Sequence, residues 1–75
     1  MRNARRQLVV CLRNEGYEVS LERRKIYQAL PDPVASKHRQ LRVIDESGED
    51  YLYPSRLFRI IELPQSLRRA VLSAV

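Results

Sequence analysis

Residues 43–54 read VIDESGEDYLYP, an acidic stretch in a 75-residue chain whose formal net charge is +5. Asp45, Glu46, Glu49 and Asp50 put four carboxylates into six positions. Apolar residues stand on both sides. Ser47-Gly48 at the centre predicts a tight hairpin, because glycine takes the positive φ such a connection needs without a steric penalty. QLRVIDE and EDYLYP are then paired strands. The acids fall at and beside the tip, where hydrated charges cost little. A calcium loop fits poorly: an EF-hand carries its glycine sixth and a bidentate acid twelfth, whereas DESGEDYLYPSR has glycine fourth and no acid twelfth.

Downstream, Pro54-Ser55 predicts a single 3₁₀ turn before the strand FRIIEL. Hairpin, Pro-Ser turn and short strand in that order resemble the closing segment of SH3-like barrels. The tail LPQSLRRAVLSAV predicts a helix over 64–73, with Pro64 in its first turn and Leu67, Ala70, Val71 and Ala74 along one face.

Upstream, RQLVVCLRN predicts a strand at 6–13 and NEG a turn at 14–16. YEVS alternates like a half-buried strand and should pair back as a hairpin. The segment 20–30 suits either a helix capped by Ser20 or a turn at 20–23 followed by a strand at 24–30; the strand is preferred. Pro31 and Pro33 end it, and DPVASKHRQ is a loop with room for one helical turn at 33–37. The predicted core draws on Leu8, Val10, Val19, Ile26, Leu30, Leu41, Val43, Leu52, Phe58, Ile60 and Leu67.

These elements describe one small domain over 1–75, frayed at 1–5, with β structure over 6–62 and the helix after it. The fold class is mainly β: a small SH3-like barrel of five or six short strands with a C-terminal helix. YEVSLERRKIYQALPD, RVIDESGEDYLYP and IELPQSLRRAVL together resemble a family of short, uncharacterised bacterial proteins of about this length. That resemblance, spanning about Leu8 to Leu72, implies an SH3-like β fold and carries no activity and no site residues.

A chain of this length buries only about 60% of the surface it exposes when unfolded, which leaves little room for a deep catalytic cleft. Cys11 is the one cysteine, so no intramolecular disulfide forms and no Cys/His cluster has zinc spacing. The apolar run LVVCL is too short for a secretory leader, and nothing approaches the ~20 residues of a membrane span. The expected location is the cytoplasm, with no membrane, metal or cofactor.

His38 lies between Lys37 and Arg39, yet no nucleophile or orienting partner accompanies it. Cys11 reads as a buried, inert thiol. Two glycines, Gly16 and Gly48, cannot build a phosphate loop. No enzyme is expected.

Fourteen Lys/Arg against nine Asp/Glu give a pI near 10.0. They cluster as Arg2/Arg5/Arg6, Arg23/Arg24/Lys25, Lys37/Arg39/Arg42, Arg56/Arg59 and Arg68/Arg69. Arg23, Arg24, Lys25, Lys37, Arg39 and Arg42 are candidate nucleic-acid contacts, with tyrosines interleaved for base stacking. Tyr27, Tyr51 and Tyr53 are candidate partner-binding aromatics. The leading expectation is a non-catalytic binding module acting through a protein partner; the alternative is a small basic protein that binds RNA or single-stranded DNA.

Overall fold

The computed structural model describes residues 6–73 and is mainly β. In chain order it contains β1 (Gln7–Cys11), β2 (Ile26–Leu30), α1 (Pro33–Lys37), β3 (Gln40–Ile44), β4 (Asp50–Pro54), a 3₁₀ turn (Ser55–Leu57), β5 (Phe58–Ile61) and α2 (Gln65–Ser73). The five strands form one antiparallel sheet in the order β4-β3-β2-β1-β5. It is an open sheet, with β4 and β5 at its edges. The fraying expected at 1–5 lies outside the described residues.

The strand expected at 17–20 does not form; β1 pairs instead with β2. Gly16 at φ +89° turns the chain, and the N–H of Tyr17 donates to the Asn14 carbonyl at 2.8 Å. The N–H groups of Ser20 and Leu21 then both donate to the Tyr17 carbonyl. With its backbone groups satisfied locally, the segment has no need of a ladder. Val19 is 98% exposed, whereas Leu21 is sealed in the core.

Strand β1 buries Val9 and Cys11 rather than Val10, and β2 buries Tyr27 and Ala29 rather than Ile26 and Leu30. Register forces the match, since Val9 stands opposite Tyr27, and a one-residue slip would turn every side chain to the other face. Leu8, on the opposite face, is also buried, lining a cleft with Ile26, Ile44 and Val71 of α2. Two covered faces explain why LVVC is apolar without alternation.

The core cluster joins these residues to Leu21, Val43, Tyr53, Leu57 and Phe58. Tyr53 meets Tyr17 edge-on, centroids 5.2 Å apart, and Phe58 at 6.2 Å, the geometry aromatic quadrupoles favour. Leu52 is exposed and Ile60 is half-exposed, so both leave the expected core. Leu67 leaves it too: α2 turns Arg68, Val71 and Leu72 inward instead. These hold the i, i+3, i+4 positions of one face.

The single turn expected at 33–37 is α1. Asp32 caps it, its Oδ1 accepting from Ala35 N at 3.0 Å, and Pro33 occupies the first helical position. Arg39, at φ 58°, ends it in the left-handed region.

Candidate functional site

The acids of the β3–β4 hairpin are not merely hydrated. Asp45 is 7% exposed. It accepts from Ser47 N at 2.9 Å, Ser47 Oγ at 2.6 Å and Tyr53 Oη at 2.5 Å. Burial alone would raise its carboxyl, but the hydrogen bonds from Ser47 and Tyr53 outweigh it and hold the group below its ordinary value. Tyr53 Oη also lies 2.9 Å from Ser20 Oγ.

Glu46 accepts from Lys25 Nζ at 2.6 Å and from Tyr27 Oη at 2.5 Å, and these bonds depress its carboxyl. Its own N–H donates to the Ser20 carbonyl at 3.1 Å. Asp45 and Glu46 thus fasten the 12–25 loop to the β3–β4 hairpin. Asp50 accepts from Arg42, and Glu49 from Tyr51 Oη.

This clasp sorts the candidate cations. Lys25 belongs to Glu46, and Arg42 is shared by Asp32 at 2.8 Å and Asp50 at 3.0 Å. Arg23, Arg24, Lys37 and Arg39 are exposed and have no acidic partner among the described residues. Arg23 and Arg24 precede β2; Lys37 and Arg39 follow it, on and just after α1.

Of the candidate aromatics, Tyr27 and Tyr53 are buried and their hydroxyls are committed. Burial first and the facing carboxylates second push both phenols up. Neither presents a ring to a partner. Tyr51 remains exposed.

Cys11 is buried; desolvation raises its thiol, which donates to the Arg13 carbonyl at 3.2 Å. His38 is exposed at the end of α1. Among the described residues no three His, Cys, Asp or Glu side chains gather as a metal site, and no helix is long and apolar enough to cross a membrane.

Two arginines outside the six candidates come forward. Leu57 of the 3₁₀ turn accepts from the N–H groups of Leu12 and Arg13, at 2.8 and 3.3 Å, and Ser55 donates to the Arg39 carbonyl at 2.9 Å. Arg56 therefore sits between the backbone partners of Arg13 and Arg39. Only the ladder places Arg13 there, since in sequence it stands alone. No family model, no curated protein and no solved structure matches this chain.

Proposed function

We propose that this chain is a non-catalytic, cytoplasmic binding module whose ligand is nucleic acid. The observation that carries the reading is the division of its cations: two of the six candidates are held by the protein's own acids, and four stand exposed with no acidic partner among the described residues. Phosphate attracts such guanidinium and ammonium groups without sequence preference. A protein partner, the first expectation, loses support because Tyr27 and Tyr53 are buried. The exposed apolar residues are also spread over loop, strand and helix, among them Leu12, Val19, Ile26, Val34, Ile60 and Leu67.

The strand order and the 3₁₀ turn before β5 support a strongly bent, SH3-like arrangement and, with it, kinship to the short bacterial family. Barrels of this size host both kinds of ligand, so fold does not choose between them. Strand β4 favours a protein as the second reading. The bonds from Asp45 N to the Glu49 carbonyl and from Ser55 N to the Arg39 carbonyl frame the β3–β4 ladder. Alternation therefore leaves the N–H and carbonyl of Leu52 on the free edge, where an added strand would pair.

Fluorescence anisotropy of labelled single-stranded RNA and duplex DNA at two salt concentrations tests the proposal. Micromolar binding that weakens steeply with salt supports it. Absence of binding at low salt overturns it and leaves the β4 edge as the surface to probe.

A further inference from the structure

We infer that Arg13, Arg39 and Arg56 form one band around the 3₁₀ turn that grips the phosphodiester backbone, an inference that rests on the nucleic-acid reading above. Three distant stretches meet there. Arg13 follows β1, Arg39 precedes β3, and Arg56 lies within Ser55–Leu57, whose two ends are hydrogen-bonded to the other two stretches. One Cα step of about 3.8 Å plus one hydrogen-bonded pair of about 5.5 Å puts Arg56 within roughly 10 Å, backbone to backbone, of each neighbour. Arg24 extends the band, its N–H donating to the Cys11 carbonyl at 2.7 Å, two residues before Arg13.

A second observation concerns Arg39 and Arg24. Arg24 at φ 67° and Arg39 at φ 58° are the only non-glycine residues at positive φ among those described. Glycine or asparagine would sit there with less strain. Neither arginine side chain has a hydrogen-bonded or ionic partner among the described residues that would account for it. At 39 the left-handed residue closes α1, so the conformation belongs to the fold, and what the two positions offer a ligand is an exposed, uncommitted guanidinium.

The chemistry fits a phosphate better than a carboxylate of the protein itself. A guanidinium is always charged, weakly hydrated and forked, matching two phosphate oxygens at once. Among the described residues one acid touches the band: Glu15 lies 3.4 Å from Arg13, with both side chains over 60% exposed. Such an open pair is weak, so an incoming phosphate displaces it readily.

The test is a salt titration of binding to a labelled 12-mer as single-stranded RNA, single-stranded DNA and duplex DNA. It uses the full chain and a triple variant, Arg13→Gln, Arg39→Gly and Arg56→Gln. Glycine at 39 keeps the left-handed turn, and a melting curve confirms that the variant is folded. Arg69→Gln on α2 is the control. If three phosphate contacts are lost, the log–log salt slope shrinks by about 2 for a single strand and nearly 3 for a duplex, while the control matches wild type. Comparing the RNA and DNA arms identifies the source of the phosphodiester.

If wild type binds and the folded triple variant keeps its affinity and slope, the band is wrong and the broader reading stands. If wild type binds none of the three at low salt, both fall; binding to poly-glutamate in the same assay would then assign the cations to an acidic protein.

Discussion

Tyr53 Oη donates to Asp45 Oδ2 at 2.5 Å, joining β4 to the turn residue that ends β3. The phenol is held neutral by burial and the carboxylate ionised by its donors. A hydrogen bond to a buried charge contributes more than a neutral one, and removing its donor strands the acceptor. Tyr53→Phe should therefore lower stability by about 1.5–3 kcal/mol in urea unfolding. A loss under about 0.5 kcal/mol would show that Ser47 alone satisfies the carboxylate.

Acid should unfold the protein through the same hairpin. Asp45 and Glu46 titrate below their ordinary values of 3.8 and 4.5. A depressed folded value gives stability that is present above the unfolded value and lost as pH falls through the folded one. Stability should hold down to about pH 5 and then decline, and Asp45→Asn should flatten part of that decline. Tyr27 and Tyr53 run the other way, raised above 10.0, so a second loss should begin as pH climbs past 10. Melting temperature across pH 2–11 checks both limbs; an acid limb unchanged in Asp45→Asn would remove Asp45 from the account.

Core placement runs against the expected core, which included Ile60 and left out Leu57. Leu57 is fully buried in the 3₁₀ turn and Ile60 is 50% exposed on edge strand β5. Leu57→Ala should cost about 2–5 kcal/mol, as buried leucines do. Ile60→Ser should cost no more than about 1 kcal/mol, as surface changes do. Equal losses by chemical denaturation would contradict the burial of the two.

At Arg39 the backbone makes a prediction that runs against intuition. Glycine relieves left-handed strain of about 1 kcal/mol, so Arg39→Gly should melt several degrees higher, while Arg39→Ala, still bearing a Cβ, should not. A lower melting temperature for Arg39→Gly would mean that the side chain stabilises the fold.

The sequence makes some elements readable because one or two residues decide each of them. Gly48 sets the hairpin, Asp32 with Pro33 sets α1, and Pro54-Ser55 sets the 3₁₀ turn. It misleads where two structures share one pattern: Tyr17 and Val19 alternate like a strand, yet the loop bonds to itself. In LVVC both faces are apolar, so periodicity cannot say which is the core. Glu46 looks solvated because its partners, Lys25, Tyr27 and the Ser20 carbonyl, lie far back in the chain. Distance hides Arg13 in the same way. It joins no charge cluster in the sequence, and Arg56 groups there with Arg59, so their meeting appears only through the Leu57 carbonyl.

Strand β1 lies between β2 and β5, and its outer partner is by far the later made. On the ribosome, Gln7–Cys11 can pair with Ile26–Leu30 well before Phe58–Ile61 exists, although the β3–β4 hairpin ends at Pro54, just ahead of β5. Until β5 is made, the bare edge of the nascent sheet is its most continuously apolar strand, an arrangement that invites pairing between neighbouring chains. The arrival of residues 58–61, rather than the speed of any hairpin, sets how long the chain stays at risk.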